Sequence, residues 1–213
     1  MLNNFDSFDN SETSARKSAL IQERVGLVST HMYKQFLDYQ NSTVNSNNIF
    51  SKMIDCLDMV SNNLKQSFSS RGVSSQNIYC ECDPVAGVAV LNILWHKISF
   101  TTRCNFQPQA LFREDGRHIF SNRIMALKGN YHEIIKDVQD REQEMYKLLE
   151  HEIASLYVPP DQSQKCILRV KRTWQEYFLN QTDAPREFVL KIVEMVCGGG
   201  LYHADDSPKK LIV

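Results

Sequence analysis

Residues 98–106 read Ile-Ser-Phe-Thr-Thr-Arg-Cys-Asn-Phe, and this stretch decides the fold class. Its side chains alternate along an extended backbone, so one face would carry Ile98, Phe100, Thr102, Cys104 and Phe106. A period of two over nine residues predicts a half-buried β-strand. The middle of the chain is therefore expected to form a β-sheet.

Neighbouring segments add strands to this one. Ile78–Cys82 has the composition of a further short strand. The valine-rich stretch 85–95 favours a buried strand, although Asp83-Pro84 before it could also begin a buried helix. Asp115-Gly116 lies between two short apolar runs, where the glycine accepts the positive φ of a tight hairpin. We expect a small, mostly antiparallel sheet over about residues 78–124.

The segment before the sheet has the periodicity of helices. Steps of three and four residues place one apolar stripe on residues 13–39: Ile21, Val25, Val28, Met32, Phe36 and Tyr39. A second stripe follows: Phe50, Met53, Ile54, Leu57, Val60, Leu64 and Phe68. The polar stretch 40–48 between the stripes predicts a loop, and the two stripes need a partner surface. We expect an N-terminal helical hairpin over residues 13–70, behind a flexible arm of residues 1–12.

The segment after the sheet predicts three helices over residues 130–197. The first begins at Asn130 and ends at Pro159-Pro160, and the second occupies 161–178. The third begins after Asp183 and ends at Gly198-Gly199-Gly200, where glycine suits a helix C-cap. Residues 13–200 then form a single α+β domain, and residues 201–213 form a tail.

Composition and charge exclude several functions. The chain has 213 residues, 42% of them hydrophobic, and a formal net charge of −1, which disfavours general binding of nucleic acids or anionic membranes. We expect no signal peptide, because the first residues carry no positive charge and no apolar run, and no membrane span, because no apolar run is long enough. We expect a cytoplasmic protein whose six cysteines are reduced thiols.

The cysteine motif Cys80-Glu81-Cys82 is the first candidate site. On a strand, residues i and i+2 share a face, so both thiols could point at one metal ion. A zinc site needs about four ligands, usually from paired cysteine knuckles. No second knuckle exists, since Cys104, His96 and His118 are single residues. We expect buried thiols and neither a metal nor another cofactor, and a further role for these cysteines stays open.

A second candidate is Cys197, which has His203, Asp205 and Asp206 downstream. A cysteine with a histidine and an acid is a possible nucleophilic triad. However, Cys197 lies at a predicted helix C-terminus, where the helix dipole raises the pKa of a thiol. The glycine run after it ends a helix rather than opening one, so it predicts no phosphate loop.

These residues leave three hypotheses. The first is a non-enzymatic interaction protein: an adaptor, a chaperone or an accessory subunit of a cytoplasmic multi-subunit assembly. In size and α+β layout the chain is similar to the small adaptor-chaperones of bacterial secretion machines, and this resemblance implies a protein partner. The apolar tail residues are the candidate contacts: Leu201, Tyr202, Leu211, Ile212 and Val213.

The other two hypotheses rest on dispersed residues. One is a cysteine- or metal-dependent enzyme that assembles its site from Cys82, His96, His118, or Cys197 with His203. The last is a weak nucleic-acid or regulatory binding module that uses the basic residues between Lys165 and Arg172.

Overall fold

A computed structural model of the chain describes residues 6–105, 109–112 and 118–198. Internal contacts divide the chain into two units, residues 1–38 and residues 39–213. Helix α1 (Asp6–Ser70) contributes to both units. Among its described residues, the first unit consists of the part of α1 that ends at Asp38, and the second contains all the other elements.

Among the described residues, three more helices and eight strands follow α1. The strands are β1 (Ile78–Asp83), β2 (Val88–Ile93), β3 (His96–Thr101), β4 (Gln109–Phe112), β5 (His118–Lys128), β6 (Glu152–Val158), β7 (Cys166–Val170) and β8 (Glu176–Leu179). The helices are α2 (Tyr131–Ile134), α3 (Arg141–His151) and α4 (Ala184–Cys197).

Seven of these strands form an antiparallel sheet in the spatial order β1-β2-β3-β5-β6-β7-β8. Neighbours in space are neighbours along the chain apart from β4, so the sheet is a meander, and the connection between β5 and β6 contains α2 and α3. Strand β4 pairs with the first part of β5, with Phe112 opposite His118. Strand β3 pairs with the last part, with Ile98 opposite Lys128. The two edges of the sheet are therefore β1 and β8.

The main hydrophobic core lies on the sheet face that α1 and α4 cover. Alternate residues of the strands from β2 to β7 supply one side of this core, because side chains two apart share a face. Helix α4 supplies Phe188, whose ring meets that of Phe100 edge to face at 5.7 Å. The part of α1 within this unit contributes Ile49, Phe50, Met53 and Leu57.

A smaller core lies on the opposite face of the sheet. Val88, Val90, Met125 and Leu127 point to this side and pack against residues of α2, α3 and the β3–β4 connection: Tyr131, Leu148 and Cys104. With helices on both faces, the central strands are buried on both sides, so β2 carries no exposed residue at all.

The predicted helical hairpin is wrong, because α1 runs without a break through residues 40–48. Three of the polar residues there are buried in the helix rather than looped out: Ser42, Asn45 and Ser46. Asn45 donates hydrogen bonds to the carbonyls of Pro159 (3.1 Å) and Pro160 (2.9 Å), which link α1 to the β6–β7 connection. The polarity of the stretch thus reflects a hydrogen-bonded helix face.

The predicted fold of a small sheet with three C-terminal helices is also wrong. The sheet continues through β6, β7 and β8, where one helix was expected from Asn130 to Pro159-Pro160 and another over 161–178. Residue 152 already has an extended backbone, so α3 passes directly into β6. In β7, Cys166, Leu168 and Val170 alternate as buried residues, a period of two that was interpreted as helical. Only the last predicted helix corresponds to a long helix of the expected extent, α4.

The strands predicted for the first half of the chain agree more closely with the structure. Strands β1 and β2 confirm the predictions for 78–82 and for a strand within 85–95, since Asp83 accepts a hydrogen bond in a turn instead of opening a helix. The strand predicted for 98–106 ends at Thr101. Strands β4 and β5 pair as the hairpin prediction requires, and the Asp115-Gly116 turn lies outside the described residues. No described helix is long and apolar enough to cross a membrane.

Candidate functional site

The N-terminal part of α1 exposes a stripe of large apolar side chains. Ile21, Val25, Val28, Met32 and Phe36 are each between 55% and 62% exposed. At 100° per residue these five side chains fall within roughly 80° of the helix circumference. A continuous apolar stripe is typical of the seam through which a helix packs against a partner helix. Four further exposed large apolar side chains of this segment lie outside the stripe: Leu20, Leu27, Tyr33 and Leu37. We call the five residues of the stripe the seam.

The two edges of the seam differ in charge. Lys17, Arg24 and His31 recur every seven residues along one edge, and all three are exposed. Gln22 and Ser29, also exposed, occupy the other edge at the same interval. Side chains in these positions decide which helices pair in a coiled coil, because they meet the partner's edge residues. The seam therefore offers one basic edge and one neutral polar edge.

The cysteine pair of strand β1 is the second cluster whose side chains could take part in a reaction. Both side chains lie partly buried against the main core, and their sulfur atoms are 3.3 Å apart. The hydrogen bond from Cys80 lowers the pKa of Cys82, although partial burial opposes the effect. The same hydrogen bond, together with burial, raises the pKa of Cys80. The contact between the two sulfur atoms thus favours the thiolate form at Cys82 over Cys80.

The remaining cysteines are poor nucleophiles. Burial raises the pKa of Cys104 to about 11 and that of Cys166 to about 12. Burial also raises the pKa of Cys56 and Cys197. His203, Asp205 and Asp206, the proposed partners of Cys197, lie outside the described residues.

The other residues of the enzyme hypothesis are not brought together. Cys82 pairs with Ala89, which in turn pairs with Phe100, so Cys82 is level with the end of β3 remote from His96. His118 begins β5 opposite Phe112, on the far side of β3 from β1. Within residues 6–105, 109–112 and 118–198, no group of three or more His, Cys, Asp or Glu side chains could hold a metal ion.

A polar cluster beneath α3 has no counterpart among the sites predicted from the sequence. Glu144 is 7% exposed and accepts hydrogen bonds from the Tyr131 hydroxyl (2.5 Å) and from Nε of Arg103 (3.3 Å). These contacts join α2, α3 and the turn that follows β3, so we interpret the cluster as a support for α3. Next to the cluster an open cavity of about 630 Å³ lies between α2 and α3, lined by residues of both charges that include Glu133 and Lys147.

The basic cluster between residues 165 and 172 is not a continuous cationic face. The guanidinium of Arg169 pairs with Glu176 at 2.6 Å. The ammonium of Lys171 donates to the backbone carbonyl of Leu149. These partners neutralise or occupy two of the four cations, which weakens the basis for nucleic-acid binding through this segment.

The tail contacts predicted from the sequence, Leu201, Tyr202, Leu211, Ile212 and Val213, all lie outside the described residues. The seam was visible in the sequence as an apolar stripe, but its partner was expected to be the next helix of the same chain. Because the seam is exposed, the structure favours a partner outside this chain over the next helix of the same chain. No protein-family model, curated protein or solved structure matches the chain.

Proposed function

We propose that the protein is a non-enzymatic interaction subunit, an adaptor or accessory subunit of a multi-subunit assembly. The observation that carries the proposal is the exposed seam of α1. Soluble proteins seldom leave such a row of large apolar side chains in water unless a partner covers it. Six free thiols favour the cytoplasm as the proposed compartment. A second contact through the tail 201–213 remains a prediction from the sequence.

The proposed occupant of the seam is an amphipathic helix of another protein that carries acidic residues along one edge. Such a helix would bury its own apolar stripe against the seam and pair its carboxylates with Lys17 and Arg24. A second copy of this chain fits less well. In a parallel pair, the basic edge of each copy would meet the neutral edge of the other copy. In an antiparallel pair, the basic edges of the two copies would meet each other and repel.

The test uses the full-length chain and two designed peptides of four heptads. Both peptides have leucine at positions a and d, and they carry either glutamate or lysine at positions e and g. We expect the glutamate peptide to bind at least about tenfold more tightly than the lysine peptide, measured by fluorescence anisotropy at low salt. The double variant Val25→Glu/Met32→Glu should lose about tenfold or more of this affinity.

The matched control is Ala19→Glu/Thr30→Glu, which adds the same two charges on the opposite side of the helix. Its affinity should stay within about twofold of the unaltered chain. Equal binding of the two peptides, or equal loss in both double variants, would refute the proposed occupant. A dimer in light scattering that only Val25→Glu/Met32→Glu dissociates would instead identify a second copy as the occupant.

A further inference from the structure

Cys80 and Cys82 lie where two thiols of one strand can react with each other. Residues i and i+2 of β1 point to the same face, and the two sulfur atoms already touch at 3.3 Å. In the part of the chain that the structure describes, strand β1 is an edge of the sheet and pairs only with β2, with Cys80 opposite Leu91 and Cys82 opposite Ala89. An edge strand can adjust its backbone with less disruption than a central strand, because only one ladder constrains it.

The two thiols are chemically unequal. Cys82 receives the hydrogen bond that lowers its pKa, so it carries the larger thiolate fraction. Cys80, with a raised pKa, remains the protonated donor. The negative charge of Asp58 of α1 raises the pKa of both thiols and so opposes the ionisation of either one. Because of this difference in pKa, we expect Cys82 to attack an external disulfide first and Cys80 to react with the resulting mixed disulfide.

We propose that Cys80 and Cys82 form a reversible dithiol–disulfide couple that exchanges with low-molecular-weight disulfides of the glutathione class. The Cys82 thiolate attacks one sulfur of glutathione disulfide, forms a mixed disulfide and releases one glutathione thiolate. Cys80 then attacks the Cys82 sulfur, which forms the Cys80–Cys82 bond and releases the second glutathione. The proton of Cys80 passes to solvent, and two electrons pass from the protein to the oxidant.

The strand geometry makes this disulfide easy to reduce again. Two residues apart on a strand, the Cα atoms are separated by about 6.7 Å, at the upper end of the range that disulfides span. Closing the bond must therefore bend β1 locally. Strained disulfides have more oxidising potentials and are the labile ones, so the couple should respond to its surroundings rather than stay oxidised. The inference is independent of the seam, which lies in the other unit.

The experiment incubates the full-length chain with defined ratios of reduced and oxidised glutathione, quenches with acid, blocks thiols and measures masses. In the unaltered protein, oxidation should leave the tryptic peptide 72–97, which contains both cysteines, without any blocking group and two hydrogens lighter than its dithiol form. Reducing the glutathione pool should reverse the change. This readout needs no variant, so a folding defect cannot obscure it.

Three variants then separate the roles of the cysteines. Cys80→Ser should retain a stable glutathione adduct on Cys82, because no second thiol resolves it. Cys82→Ser should acquire the adduct at least about tenfold more slowly, since Cys80 is the weaker nucleophile. Cys166→Ser, which removes a buried thiol, should behave like the unaltered chain.

Two results would overturn the proposal. In the first, peptide 72–97 keeps both blocked thiols while other cysteines oxidise or mixed disulfides accumulate in the unaltered chain. In the second, Cys80→Ser and Cys82→Ser react with glutathione disulfide at equal rates, which would remove the assigned order of attack.

Discussion

Helix α1 contains the same apolar periodicity twice, with opposite outcomes. Around residues 49–57 the stripe is buried, and Leu57 is 0% exposed. Around residues 21–36 the stripe lies in water, and Ile21 is 62% exposed. The spacing of apolar residues thus predicts a helix and the side on which it should be covered, but it does not predict which surface covers it. The sheet covers the later stripe, and we assign the earlier one to another protein.

The largest expected effect is on the buried stripe. Leu57→Ala should lower the free energy of unfolding by about 2–5 kcal/mol, because it removes packed methyl groups and leaves a cavity in the main core. Leu27→Ala makes the same chemical change in the exposed part of the same helix and should alter the value by less than about 0.5 kcal/mol. Urea denaturation of the two variants measures both. Similar losses would show that Leu27 is buried in solution.

An intermediate effect is expected at the polar stretch that precedes the buried stripe. Asn45→Ala should cost about 1–3 kcal/mol, because it removes the donor to the Pro159 and Pro160 carbonyls and the acceptor for Gln162. Asn48→Ala, at an exposed position of the same stretch, is the matched control and should cost much less. If the two variants unfold alike, residues 40–48 do not pack as a helix against the β6–β7 connection.

The sequence predicted local structure well where one face of an element meets water. Strand β1 confirmed its prediction, and α4 confirmed the helical stripe of Phe188, Val189 and Ile192. Prediction failed for β6, because a strand buried on both faces loses its alternation and its apolar residues also fit helical spacing. It failed again at residues 40–48, since the hydrogen-bond partners of Asn45 are more than 100 residues away in the chain.

The candidate sites were also predictable only in their local features. The sequence places Cys80 and Cys82 on one face of a strand, because that follows from the period of two. Their contact and the resulting inequality of the two thiols depend on side-chain positions that only the structure supplies. The Glu144–Tyr131 hydrogen bond joins elements that the sequence had assigned to one continuous helix, so it could not be anticipated.

The smallest expected effect concerns the helix that carries the seam. A methyl group added at Gly26 would meet no neighbouring atom within 4 Å, and the residue has no positive φ, so Gly26→Ala should favour this part of α1 by about 0.5–1 kcal/mol. Hydrogen exchange should slow for amides around residue 26, while the urea midpoint of the whole protein stays the same. Gly87→Ala is the contrasting variant, because a methyl group there would collide with the Thr102 side chain at a φ of +67°. A raised urea midpoint in Gly26→Ala would mean that the two units unfold together. The two stripes of α1 would then differ in their exposure to water, but the helix segments that carry them would not differ in stability.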